Sequence, residues 1–321
     1  MTAIPPVLKL RAPAKINVFL RVVGRRPDGY HDLQTWMQKL DLYDTIELEL
    51  FHGDDIKLSC SDPALPAGGS NLVCRAAKAF FTESKRGRGY GVKIGLTKLI
   101  PVAAGLGGGS SDAGTVLQGL NRLFDGEFSE QQLIAMARPL GADVPFFVVE
   151  HGAVLAEGIG DIMYPAESIV DCSFVLVNPG FFVSTAWVFQ NLALTRVSKN
   201  SKLSCFQKRK AVPLSLADMH NDLESVTSNM YPEIDQIKRS LLAAGAKKVL
   251  MSGSGPTVFG VFPDADKSIC ADIKSIVGGL RQEYGNKVFL SRACTGASPS
   301  GKAPGFDPGI RRFESCRPSH H

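Results

Sequence analysis

Alternation of apolar and polar positions marks the first regular element of the chain. Ala12, Ala14, Ile16, Val18, Leu20 and Val22 alternate with Arg11, Pro13, Lys15, Asn17, Phe19 and Arg21. A period of two predicts a strand with one apolar face and one mostly polar face, and it puts Lys15 and Asn17 together on the polar face. Pro27-Asp28-Gly29 then reads as a turn. A second strand follows from Val92, Ile94 and Leu96, which alternate with Lys93, Gly95 and Thr97. Beyond residue 112 the period changes. Ala113, Val116, Leu117, Leu120 and Phe124 recur at helical spacing. Between that strand and helix lies a Gly/Ser-rich run, with Ser110, Ser111 and Asp112 where helix caps are expected. Farther on, the pattern predicts a helix stopped by Gly141, with Asp143 entering an extended apolar run. It also predicts a strand, a Gly/Ser turn and a strand over 251–262.

The glycine run is pinned between two periodic elements, so it does not read as a slack linker. The open N–H groups and the dipole at a helix start favour a phosphate, and glycines let the backbone come close to it. Two common phosphate loops do not fit. A Walker A loop needs Lys-Ser/Thr after its last glycine, where this chain has Ser110-Ser111. A GxGxxG loop started at Gly105 or Gly107 would need glycine at Ser110 or Asp112.

Composition narrows the class. The chain has 321 residues, 44% hydrophobic and 21% charged, with a formal net charge of +5. That balance suits a globular protein with a sizeable core and an anionic small-molecule ligand. The densest basic stretch, 199–210, carries a single aromatic, Phe206, and reads as a solvated loop more than a nucleic-acid surface. No apolar run approaches the roughly 20 residues of a membrane span. The seven cysteines are scattered without CxxC, which points to reduced thiols. The first residues carry no signal-peptide pattern, and together these features predict a cytoplasmic location. No internal repeat is evident. Residues 296–321, rich in Pro, Gly and Ser and ending in His-His, read as a disordered or vector-derived tail. Gly296 to Lys302 imitates the start of a Walker A loop, but Ala303 stands where its hydroxyl residue belongs. His52 and His151 have no motif around them and are read as structural.

The run P-x-x-x-G-L-G-G-G-S-S-D-A, from Pro101 to Ala113, resembles the ATP loop of the GHMP kinase superfamily. Three further segments resemble that superfamily in the same order: A-P-A-K-I-N at 12–17, G-A-D-V-P at 141–145 and S-G-S-G-P-T at 252–257. A-P-A-K-I-N together with D-G-Y-H at 28–31 is similar to the branch whose acceptor is a cytidine-diphosphate-linked methylerythritol, a sugar alcohol of the non-mevalonate isoprenoid route. The P-G-x-x-V-x-T-x-x-V-F run at 179–189 resembles the same branch.

The resemblance implies an α+β fold of two domains with the active site in the cleft between them. An N-terminal α/β ATP-binding domain of ribosomal-protein-like, left-handed-crossover type would span 8–163, and a C-terminal ferredoxin-like α+β domain 164–295. It implies an ATP-dependent kinase acting on the 2-hydroxyl of that acceptor, as a monomer or weak homodimer. Lys15 and Asp143 would be the catalytic pair, with Asp143 accepting the hydroxyl proton. Pro101, Val102, Ala103, Ala104, Gly105, Leu106, Gly107, Gly108, Gly109, Ser110 and Ser111 would bind ATP. Mg²⁺ would bridge the phosphates, with Ser110 or Ser111 as a ligand and no dedicated protein metal site. Asn17, Tyr30, His31, Thr185 and Phe189 would bind the acceptor, Tyr30 and Phe189 sandwiching cytosine while His31 hydrogen-bonds it. His220 to Glu224 resembles a helix start and reads as capping. Two alternatives stay open: a homoserine- or mevalonate-type kinase of the same superfamily, and a non-catalytic binding protein of that fold.

Overall fold

The computed structural model describes residues 7–192 and 215–295, apart from the side chains of 267–271. The tail and the basic stretch at 199–210 lie outside the described residues. The first half carries β1 (Leu8–Arg25), β2 (His31–His52), β3 (Ile56–Cys60), α1 (Leu72–Glu83), β4 (Tyr90–Thr97), α2 (Gly108–Leu123), α3 (Glu130–Ala137), α4 (Val144–Val148), β5 (Ala153–Gly158) and β6 (Ile162–Ala166). The second half carries β7 (Cys172–Val177), α5 (Thr185–Asn191), β8 (His220–Asn221), α6 (Glu224–Met230), α7 (Glu233–Ala243), β9 (Lys248–Met251), β10 (Val258–Pro263), α8 (Lys267–Tyr284) and β11 (Val288–Arg292).

β1 and β2 form a long antiparallel ribbon closed by the turn at 26–30, where Gly29 takes φ +87°. The ribbon anchors a seven-stranded sheet ordered β3-β4-β2-β1-β8, with β5 paired to β2 and β6 to β5. Register shifts interrupt β1 between Pro13 and Lys15, between Asn17 and Phe19, and between Val22 and Gly24. Bulges of this kind re-aim side chains. Packed against the second sheet and the glycine loop, the strand is buried on both faces from Ala14 to Leu20, and the expected polar face, with Lys15 and Asn17, is buried too. α1 and α2 cover the β4 end of the sheet, where Ile46, Leu48, Val92 and Ile94 meet Val73, Phe80, Val116 and Leu120.

The second sheet is ordered β11-β7-β10-β9 and is antiparallel throughout. With helices after β7 and β10, this is the β-α-β-β-α-β arrangement of a ferredoxin-like unit. α7 packs on one face of it through Ile234, Ile237 and Leu241. On the other, Phe174, Leu176, Phe259 and Val261 meet Ala14, Ile16 and Val18 of β1, so the two sheets share an apolar seam. A division after residue 163 falls inside β6, which still belongs to the first sheet, and β8 returns from the second half to pair with β1. Among the described residues no helix is long and apolar enough to cross a membrane.

Candidate active site

The glycine run enters α2 three residues earlier than the serines suggest. Gly107, at φ +70°, is the N-cap, and no side chain caps the helix. Ser110 and Ser111 therefore lie inside the first turn, and Asp112 just past it, instead of at the cap. Glycine in the left-handed region turns the chain without help from a hydroxyl. Ser111 N–H closes the first helical bond onto the Gly107 carbonyl (2.8 Å). The first-turn N–H groups before it have no intrahelical acceptor, which suits an anion.

Backbone presses on this loop at Gly105 and side chains press on it at Gly107. A Cβ at Gly105 (φ +76°) would sit 2.2 Å from the Ser252 carbonyl oxygen, and one at Gly107 would sit 3.0 Å from Lys15 Cγ and Phe147 Cζ. The second Gly/Ser segment, between β9 and β10, is bonded directly to the first. Ser252 donates to the Gly105 carbonyl (2.9 Å) and accepts from Asn17 N–H (3.3 Å). Thr257 N–H donates to Ala104 (3.3 Å), and Lys15 N–H donates to Leu106 (2.9 Å).

The residues read as a helix cap at 220–224 hold this assembly together. α6 begins after Leu223 with no side-chain cap bond to its first turn. Asn221 accepts from Leu223 N–H and donates its amide to the carbonyls of Met251 and Gly253, both at 2.8 Å. Asp222 accepts Val22 N–H (2.7 Å), and Glu224 accepts Met251 N–H (2.7 Å).

Lys15 is buried, with 4% of its surface exposed. Its ammonium donates to Asn17 Oδ1 (2.5 Å) and lies 3.4 Å from Asp143 Oδ2. Asn17 in turn donates to Thr35 Oγ1 (2.8 Å), which donates to the Phe19 carbonyl (2.8 Å). This chain fixes the ammonium from behind. The Asp143 side chain is 37% exposed and faces the cavity. The apolar run after it is helical, not extended: Asp143 is the N-cap of the short α4, whose first turn contains Pro145. Proline there is pre-set for a helix start.

A cavity of about 960 Å³ opens on this pair. Lys15, Asn17, Thr35, Gly105, Gly107, Ser110 and Asp143 line it from one side, and Tyr30, His31, Thr185, Phe189 and Gly253 to Gly255 from the other. Of the remaining loop residues, only Ala103 reaches the lining; Pro101, Val102, Ala104, Leu106, Gly108, Gly109 and Ser111 do not. Ser111 is fully buried and its hydroxyl has no hydrogen-bond partner among the described residues, whereas Ser110 borders the cavity. Thr185 shares a hydrogen bond with Ser254 (2.8 Å). Tyr30 is 63% exposed. His31 stacks directly on Phe189, with centroids 5.1 Å apart and planes at 22°. Burial, aided by the nearby Arg25 charge, holds the His31 imidazolium below its ordinary range.

Behind the loop, Lys98 bridges the buried carboxylates of Asp44 and Asp112, the latter at 2.8 Å. Asp44 also accepts Leu99 and Ile100 N–H. Burial pushes the Asp112 carboxyl up from its usual range despite Lys98. The sequence reading singles out neither Thr35 nor Lys98, takes Asn221 as capping, and names Ser252 only as part of the 252–257 segment, without its bond to Gly105. His52 lies against Tyr90, with ring centroids 5.1 Å apart, away from the cavity, and so does His151, whose Nδ1 is buried.

The chain matches family models described as GHMP kinases N terminal domain, over residues 71–151, and GHMP kinases C terminal, over 207–275. It is 52% identical over 288 residues to a 4-diphosphocytidyl-2-C-methyl-D-erythritol kinase of Desulfotalea psychrophila, covering 89% of this chain and 95% of the relative. A protein of the same name from Syntrophotalea carbinolica is 50% identical, covering 81% and 91%. Among solved structures, a 4-(cytidine 5'-diphospho)-2C-methyl-D-erythritol kinase superposes with a TM-score of 0.71 at 32% identity, covering 90% of this chain and 100% of that one. A homoserine kinase from Cytophaga hutchinsonii superposes at 0.69 with 18% identity, covering 92% and 98%, a likeness of fold alone.

Proposed function

The chain belongs to the 4-diphosphocytidyl-2-C-methyl-D-erythritol kinase family of GHMP kinases, and from that premise we propose that it phosphorylates the 2-hydroxyl of 4-(cytidine 5'-diphospho)-2-C-methyl-D-erythritol at the expense of ATP, in isoprenoid-precursor synthesis. The observation that carries this reading is the Lys15–Asp143 contact beside the start of α2, in one cavity with the rings of Tyr30, His31 and Phe189. Phosphoryl transfer depends on positioning and charge compensation more than on covalent steps. Bound ATP supplies the phosphoryl group, and Mg²⁺ neutralises its oxygens.

The protein does the rest. Backbone N–H groups at the start of α2 hold phosphate oxygens, and the glycines before it fit where a Cβ would crowd Ser252, Lys15 and Phe147. Among the described residues no group of three His, Cys, Asp or Glu side chains could hold a metal. Ser110, which borders the cavity, would offer its hydroxyl to Mg²⁺ carried in on the phosphate oxygens, and the buried Ser111 would not. Asp143 takes the acceptor's hydroxyl proton onto a carboxylate oxygen. Lys15, held by Asn17 and Thr35, meets the charge that develops on the transferred group.

At the other end, Tyr30 and Phe189 offer π-faces to cytosine. A base between them displaces His31 from Phe189 and frees the imidazole to hydrogen-bond the ring, and Thr185 adds a hydroxyl. The test is an acceptor panel with wild-type protein, following ADP release and locating the new phosphoester by phosphorus NMR. The reading expects the phosphate on the 2-hydroxyl of the cytidine compound. Turnover of homoserine, mevalonate or galactose in its place overturns the acceptor and leaves the kinase standing.

A further inference from the structure

Lys39 is a second buried lysine at the site's edge, and the chemistry described above does not use it. It lies directly across the β1–β2 ladder from Lys15. Both are buried. Like charges directly opposite on a sheet repel, so each needs its own partner. Lys15 turns to Asp143, the N-cap of α4. Lys39 turns to the other end of the same helix. Its ammonium donates to the carbonyl of Val149, the C-cap of α4, at 2.6 Å, and lies 5.0 Å from the centre of the Phe146 ring within α4.

The Lys39 backbone is itself clamped. Its N–H donates to Gly152 (2.7 Å) and its carbonyl accepts Cys294 N–H (2.9 Å). Among the described residues no carboxylate comes within ion-pair distance of its ammonium. A buried ammonium without a close carboxylate is costly to keep. What it gains here is the C-terminal end of a five-residue helix. Cations at helix C-termini are favourable, and so short a helix has little stability of its own.

We propose that Lys39 is a positioning residue: with Lys15 it clasps α4 at both ends and so fixes the Asp143 carboxylate at the distance from Lys15 that the reaction needs. Asp143 is held through its own short helix and not through a side-chain cap bond, which α4 lacks. Slack at the Val149 end therefore moves the carboxylate. This inference rests on the kinase reading, and wild-type turnover in the same assay separates the two: an inactive wild type sinks the kinase reading, and an active wild type with an indifferent Lys39 sinks only this one.

The experiment compares wild type with Lys39→Met and Lys39→Arg in the full chain. Met fills the apolar slot without a charge, and replacing buried charges by apolar groups is often neutral or stabilising, so Lys39→Met is expected to fold with a Tm no lower than wild type. Its kcat is expected to fall by about 10- to 100-fold, the penalty of a reacting group misplaced by an ångström or less. The Michaelis constants for ATP and acceptor should stay near wild type, since neither binding surface changes. Lys39→Arg, which returns a charged donor to the Val149 carbonyl, should recover turnover relative to Lys39→Met. A Lys39→Met protein with wild-type kcat overturns the proposal. So does a change confined to the Michaelis constants, or a Lys39→Arg protein no better than Lys39→Met.

Discussion

Ser252 donates its hydroxyl to the carbonyl of Gly105 at 2.9 Å, so the two Gly/Ser segments, one from each half of the chain, are joined by a side-chain-to-backbone bond at the mouth of the cavity. The bond makes the glycine loop a shared element of both sheets. It also explains why Gly105 admits no side chain: a Cβ there would meet the Ser252 carbonyl at 2.2 Å. Gly105→Ala is expected to lower stability by about 1–3 kcal/mol through strain and steric conflict and to raise the Michaelis constant for ATP. Thermal unfolding and ATP titration check both.

Gly107 faces Lys15 and Phe147 instead of backbone. Gly107→Val adds a branched side chain at φ +70° against Lys15. ATP affinity and turnover are both expected to fall steeply, by about 100-fold or more in kcat/KM for ATP. Steady-state kinetics at varied ATP would show this; wild-type values would remove Gly107 from the phosphate site.

Asp143→Asn keeps the shape of the N-cap and removes the base. Turnover is expected to drop by about 10²- to 10⁴-fold, with ATP binding little changed, because a general base acts mainly in the transition state. Lys15→Met should behave similarly. ATP binding by calorimetry beside kcat separates lost chemistry from a collapsed site.

Lys39 gives a pH signature. Burial holds its ammonium down at about 8 against an ordinary 10.5, with Cys294, Glu130 and Glu150 pulling weakly the other way. The unfolded chain keeps that proton up to the ordinary value, so between these pH values the unfolded state binds more protons and stability rises with pH. Below the window the charged, buried Lys39 is a burden that Lys39→Met lacks. The stability advantage of Lys39→Met over wild type should therefore be largest near neutral pH and shrink as pH rises from 8 toward 10. Parallel denaturant titrations across that range measure the difference, in which other titrating groups cancel.

Much of this arrangement was readable from residue order. The alternation from Ala12 to Val22 marked β1, the strand–glycine–helix order marked the glycine loop between β4 and α2, and Lys15, Asp143, Ser110, Tyr30, His31, Thr185 and Phe189 all line one cavity. What escaped was set by contacts between distant segments. The second sheet and the glycine loop bury both faces of a strand whose pattern exposes one. Asn221 reads as a capping residue until β8 packs against β1 and brings its amide to the Met251 and Gly253 carbonyls, and Ser252, within a segment matched to the superfamily, meets Gly105 only in the folded chain. The His31–Phe189 stack forms only when α5 docks on β2. The helical start at Asp143 did carry a local signal, Pro145 in the first turn, which reading the run as extended passed over.

The central claim is that the cavity recognises a cytidine-bearing alcohol for the Lys15–Asp143 pair to phosphorylate. The most direct measurement is kcat/KM for 4-(cytidine 5'-diphospho)-2-C-methyl-D-erythritol against 2-C-methyl-D-erythritol 4-phosphate, which has the same reacting hydroxyl and no base, in wild type and in Tyr30→Ala. One aromatic stack is worth about 1–3 kcal/mol, so the base-free alcohol should be poorer by at least one to two orders of magnitude, and Tyr30→Ala should narrow that gap by roughly the same factor. Equal kcat/KM for the two alcohols, or a gap that Tyr30→Ala leaves untouched, would contradict the account.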